Sequence, residues 1–201
     1  MIKKLIKSLL VCLCLLCLTT PGAYSQETTK NSIKNDIVKT ALKMGVDPYV
    51  VLSIAKMESN FDHHKRNPSG AVGVFQLMPR TAKLLGVNPY LKDDNIKGGI
   101  MYYKKLYKMY GSVDLALAAY NAGPGNVKKY NGIPPFKETK AFVARVKREY
   151  NVQMADPVVK ACCTPTLQKL EETEPMPAVI EPDENIVETM PFNVAETKDA
   201  I

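Results

Sequence analysis

From Asn31 to Tyr150 apolar side chains recur every three or four residues, and each such stretch is bracketed by residues that start or stop a helix. A chain patterned in this way buries its apolar surface by packing helices on helices. Ser32 is placed to cap a helix whose face is Ile33, Ile37, Val38, Ala41 and Leu42, with Gly45 as its stop. Asp47 and Pro48 open the next helix, since aspartate accepts orphan amide protons and proline suits a first turn. Its apolar set, Val50, Val51, Ile54, Ala55 and Met57, is almost continuous, which predicts burial on most sides. Pro79 opens a short helix that Gly86 ends. Asp93 is expected to cap a longer one, with Ile96, Gly99, Ile100, Tyr103, Leu106, Tyr107 and Tyr110 on its core side, while Tyr102 is left as a groove candidate. Ser112 caps V-D-L-A-L-A-A-Y-N-A-G, a short piece runs from Pro124 to near Tyr130, and Thr139 to Tyr150 is the last helix. No strand run or internal repeat interrupts this pattern, so the fold class is all-α.

The two ends have a different character. Lys3, Lys4 and Lys7 precede an apolar run from Ser8 to Leu18, and the small residues Ala23 and Ser25 follow, so residues 1–25 read as a signal peptide cleaved after Ser25. The apolar run is shorter than the roughly 20 residues a membrane-crossing helix needs. Val11 and Leu16, which precede Cys12 and Cys17, are larger than the residue expected before a lipid-modified cysteine. The chain is therefore expected to be exported to the periplasmic side of the cell envelope. Cys162 and Cys163 remain after cleavage, and adjacent cysteines close too small and strained a ring to staple a fold, so both are expected to be free.

Residues 26–150 carry 21 Lys and Arg against 10 Asp and Glu, whereas residues 151–201 carry 3 against 10. A basic globular part suits an acidic partner, which could be nucleic acid, anionic lipid or an acidic polysaccharide. For an exported chain the polysaccharide gains weight and nucleic acid drops out. Six of the 14 prolines lie in residues 151–201, and no amphipathic period persists there. Such a segment buries too little apolar surface to offset its ordering entropy, so 151–201 is expected to be a disordered acidic tail.

Within A-K-M-E-S-N-F, Glu58 closes the buried helix. On spacing alone it is either a solvated helix terminus or a desolvated acid. In the second case burial and the negative end of the helix dipole would raise its pKa and suit it to donate a proton. His63 and His64 are adjacent, their side chains diverge, and nothing in the domain completes a metal site, so a solvated loop pair is expected and no metal or other cofactor is implied. Asp62 reads as a loop residue. Lys104, Lys105, Lys108, Lys128 and Lys129 read as solvated faces.

Four segments taken together are more specific. E-S-N-F, N-P-S-G-A-V-G-V-F-Q-L-M-P-R-T-A, N-I-K-G-G-I-M-Y-Y-K-K-L and L-A-L-A-A-Y-N-A-G-P-G-N-V-K-K-Y-N-G-I-P-P-F-K-E-T follow one another in the order and spacing of the lytic transglycosylases related to goose-type lysozyme. The chain resembles that family from about Ile33 to Tyr150, which makes 26–150 the catalytic domain and implies a small lysozyme-like helical fold. By position, the resemblance implies Glu58 as the catalytic residue. It also implies Ser59, Asn67, Gly73, Gln76, Tyr120 and Asn121 as the residues that line or support the sugar groove, with Gly70 and Ala71 in the same glycine-rich segment. Asn67 stands where serine is commoner and Phe75 where methionine is commoner, which implies a changed sugar hydrogen bond and a changed groove shape.

The implied reaction needs one carboxyl group. It protonates the β-1,4 glycosidic oxygen between N-acetylmuramic acid and N-acetylglucosamine, then takes the proton of the muramyl 6-hydroxyl as that oxygen closes a 1,6-anhydro ring. The implied partner is the peptidoglycan glycan strand, bound by a monomer. Small members of the family accompany secretion, pilus or conjugation machines, so the tail is a candidate docking segment. Two other functions fit the same residues: a muramidase that adds water, and a peptidoglycan-binding assembly factor whose chemistry is dispensable.

Overall fold

The computed structural model describes residues 21–163. Most of the expected signal peptide, up to residue 20, and the acidic stretch from 164 onward lie outside the described residues. The chain divides into two compact units, Met1–Ile33 and Lys34–Ile201. In the first, the described residues form the start of helix α1 (Pro21–Lys43); the second holds its remainder and everything after it. There follow α2 (Pro48–Ser59), α3 (Pro79–Leu85), α4 (Lys92–Tyr110), α5 (Val113–Ala122), α6 (Pro124–Lys129) and α7 (Lys137–Ala155), with helix again over residues 157–163. Among the described residues β pairing is confined to two isolated bridges, Arg66 with Val72 and Val72 with Leu77. The all-α expectation holds.

Helix α2 is buried along most of its length. Val50, Val51, Leu52, Ile54 and Ala55 are all buried. Burying each of the larger ones is worth about 1.5–3 kcal/mol, well above the roughly 1 kcal/mol of an N-cap, so packing rather than capping fixes this helix. Asp47 still caps it as expected, accepting from Tyr49 N at 2.8 Å. The other Asp47 oxygen accepts from the Tyr150 hydroxyl at 2.8 Å, tying α7 to the start of α2. Burial and then this carboxylate push the Tyr150 phenol up to about 12. Helix α2 packs mainly on α7, and α5 packs on α4, α6 and α7.

Several boundaries differ from the sequence expectation. Ser32 lies inside α1 rather than capping it, because no glycine or proline between Gly22 and Gly45 interrupts the helix. Asp93 is not a cap either: α4 starts at Lys92 with Leu91 as N-cap, and Asp93 pairs with Lys92 at 3.4 Å in the first turn. Tyr107 is 45% exposed although it stacks on the buried Tyr103. The last helix does not stop at Tyr150, and residues 151–163 do not belong with a disordered tail. Gln153, Val159 and Cys163 continue the buried face, and Lys34 pairs with Asp156 at 3.3 Å. Cys162 and Cys163 form no disulfide among the described residues, and Cys162 donates to Asn35 Oδ1 at 3.0 Å.

The close approach of α4 to the loop before α3 requires glycine. A Cβ on Gly99 would lie 2.1 Å from Cγ and 2.4 Å from Cβ of Phe75, whose side chain is fully buried. Those are the fixed stem atoms of the ring, so the loop backbone itself would have to move. Gly99→Ala would ordinarily gain about 1 kcal/mol of helix propensity, but overpacking here is expected to cost about 2–3 kcal/mol net. Urea denaturation of the variant checks this; an unchanged midpoint would show that the loop yields freely.

Candidate active site

The carboxyl end of α2 carries Glu58 and Ser59, both buried, at 8% and 5% exposure. The helix is stopped by Asn60 and Phe61, which both take left-handed backbone (φ 55° and 63°), so the chain turns sharply into the loop over 60–78. Two side chains fasten this turn. Ser59 Oγ donates to the Val74 carbonyl at 2.8 Å and accepts from Asp62 N at 3.1 Å. Lys65 Nζ donates to the Glu58 carbonyl at 2.6 Å, satisfying one of the carbonyls that a helix end leaves open.

The glycine-rich segment folds back beside that helix end. Gly73 N donates to the Lys65 carbonyl at 2.9 Å. Gln76, itself left-handed at φ 45° and 4% exposed, donates from Nε2 to the carbonyls of Gly73 (3.0 Å) and Lys65 (3.2 Å). Its amide nitrogen is thus engaged inside the loop. Asn67 accepts from Ala71 N at 2.7 Å, which makes it a fastener of the same turn rather than a free sugar-facing group. Phe75 does not shape a groove with its ring, which is fully buried against α4; its carbonyl is the atom that meets α5.

That carbonyl accepts from the Tyr120 hydroxyl at 2.9 Å, and so α5 joins the site. Burial pushes the Tyr120 phenol far above its usual value, and the nearby Glu58 charge adds to the effect. Tyr120 therefore stays protonated through the neutral range and acts as a hydrogen-bond donor. Tyr102, left open as a groove candidate, packs its ring 5.2 Å from that of Tyr120, and burial raises its phenol too. Asn121, one residue on, is held from another side: its Oδ1 accepts from Thr139 Oγ1 of α7 at 2.9 Å.

The structure thus draws Glu58, Ser59, Gly73, Gln76 and Tyr120 into one cluster, with Asn67 on its loop side and Asn121 at the end of α5. What sequence reasoning missed is Asn95. This fully buried residue accepts from Phe75 N at 2.9 Å and donates to the carbonyls of Val72 (2.8 Å) and Pro89 (3.0 Å). It also explains Gly73, where an added Cβ would meet Asn95 Nδ2 at 2.5 Å. The signal was present, because Asn95 opens the N-I-K-G-G segment, but an asparagine in a first helical turn looks like a solvated residue until its burial is known.

The other nearby acids have local roles. Asp62 is exposed and accepts from His64 N at 2.8 Å, and Asp94 accepts from Asn88 N at 2.9 Å. His63 is partly buried rather than solvated, and burial followed by its charged neighbours lowers its pKa. No group of three or more potential metal ligands occurs among the described residues. No described helix is long and apolar enough to cross a membrane.

Residues 36–143 match the transglycosylase SLT domain family, more than half of the chain. The chain belongs to this family. It is 34% identical over 108 residues to the transglycosylase of Enterobacteria phage PRD1, covering 53% of this chain and 38% of the phage protein. It is 32% identical over 151 residues to the soluble lytic murein transglycosylase of Salmonella typhimurium, covering 63% of this chain and 22% of that one. Among solved structures, the 70 kDa soluble lytic transglycosylase of Escherichia coli superposes with a TM-score of 0.52 at 28% identity, over 62% of this chain and 25% of that chain. This SLT chain therefore spans well under half the length of these relatives.

Proposed function

We propose that this SLT domain is a lytic transglycosylase that cleaves the glycan strand of peptidoglycan without water, working on the periplasmic face of the envelope. The observation that carries the reading is Glu58, a buried carboxyl group at the end of α2 that shares its cluster with a tyrosine kept un-ionised. Tyr120 can donate a hydrogen bond but is a poor base, so proton transfer in both directions falls to Glu58.

In the first half of the reaction Glu58 gives its proton to the glycosidic oxygen, and the bond from that oxygen to the muramyl anomeric carbon breaks. In the second half the resulting carboxylate accepts the proton of the 6-hydroxyl on the same muramyl sugar, whose oxygen bonds to the anomeric carbon. The proton returns to Glu58, atoms balance, and no second carboxylate is required. A hydrolase of the two-carboxylate type would need another acid on the opposite face of the sugar. Asp62 and Asp94, which flank the first and third site segments, each accept a hydrogen bond from a main-chain amide.

The test is the chemistry of the released ends. Purified sacculi treated with the protein are expected to yield muropeptides ending in 1,6-anhydromuramic acid, each lighter by one water than a reducing-end product on mass spectrometry. Reducing ends instead would make the protein a hydrolase, and release of nothing would leave a glycan-binding protein.

A further inference from the structure

We propose that Thr139 is a positioning residue that sets Asn121 as a hydrogen-bond donor to an acceptor oxygen of the bound glycan. The inference rests on the proposed substrate. Thr139 lies in the first turn of α7 and is 2% exposed, so its hydroxyl is withdrawn from water and needs a protein partner. It finds one in Asn121 Oδ1 at 2.9 Å, a contact between residues 18 apart in sequence.

A carboxamide has one accepting and one donating end on opposite sides of its carbon. With Oδ1 drawn toward α7, Nδ2 is turned away from α7 and offers two N–H donors. Asn121 is only partly buried and adjoins Tyr120, so those donors remain available to a ligand of the site. The sugar groups they suit are acceptors, such as an acetamido carbonyl or a ring hydroxyl oxygen. Without the Thr139 hydroxyl the amide can rotate and present its oxygen, which repels the same acceptors. Thr139 thereby selects which face of Asn121 the glycan meets, although it does not touch the glycan itself.

The experiment measures the affinity of soluble, uncrosslinked peptidoglycan glycan strands for the full chain carrying Glu58→Gln, so that binding is read without turnover. Adding Thr139→Val, which keeps shape and removes the hydroxyl, is expected to weaken binding about tenfold, the size of one well-made hydrogen bond. Thr139→Ser, which restores the hydroxyl, is expected to recover most of that loss. In an Asn121→Ala background Thr139→Val should add nothing, because the two residues act as one unit. Should Thr139→Val compromise folding, Asn121→Asp keeps the acceptor for Thr139 but lacks the N–H donors, and is expected to weaken binding to a similar degree. The proposal is overturned if Thr139→Val binds like its parent, if it weakens binding equally in the Asn121→Ala background, or if the parent binds no glycan strand. If the wild-type chain releases no anhydro ends while the binding pattern holds, the proposed reaction fails and this inference survives.

Discussion

Glu58→Gln is expected to lower the rate of muropeptide release by about 10³- to 10⁴-fold while leaving the fold intact, because general acid and base catalysis by one group is worth that much. Glutamine keeps the shape of the side chain in a site that is 8% exposed, so packing against the loop is preserved. What it removes is the transferable proton. Tyr120 cannot substitute, since burial by itself keeps its phenol un-ionised. The loss should appear in kcat, with affinity for glycan strands nearly unchanged, and circular dichroism and thermal melting should match the wild type. Residual activity within tenfold of wild type would show that another group carries the proton.

Asn95→Ala has the second largest expected effect, and it falls on stability first. The side chain is fully buried and makes three hydrogen bonds to main chain, to Phe75 N, Val72 O and Pro89 O. Alanine leaves those groups without their partner in a space too dry to solvate them well. At about 1–3 kcal/mol for each buried group left unsatisfied, the variant is expected to lose about 4 kcal/mol or more. For a domain of this size that is a large part of the total stability. The measurement is chemical denaturation. A loss below about 1 kcal/mol would mean that water replaces the amide and that Asn95 does not anchor the loop. Because the same loop holds Gln76 and presents the Phe75 carbonyl to Tyr120, the surviving folded protein should also be less active.

Seen together, the site residues fall into two groups. Ser59, Asn67 and Gln76, which the family resemblance suggests as contacts to the sugar, use their polar atoms to hold the loop over 60–78 against the end of α2. Gly73 and Gly99 exist to let Asn95 and Phe75 pass close by. In this chain those side chains therefore fix the loop that lies beside Glu58. This is the expected arrangement for catalysis by positioning, where a small displacement of the reacting group costs more than the loss of one ligand contact.

The sequence by itself determined the helical class, the order of the helices and the location of the acid. These follow from local rules: apolar residues at helical spacing, Asp47 and Pro48 at a start, Gly86 and Gly123 at stops, and a carboxylate at the end of an apolar run. Motifs in four separate segments singled out the residues that gather around Glu58. The tertiary structure alone decided what those residues touch. The reach of α7 past Tyr150, the burial of Asn95, the exposure of Tyr107 and the bond from Thr139 to Asn121 each depend on a neighbour far along the chain. Period and propensity describe one helix at a time, whereas a buried polar contact is fixed by which two helices meet and at what height.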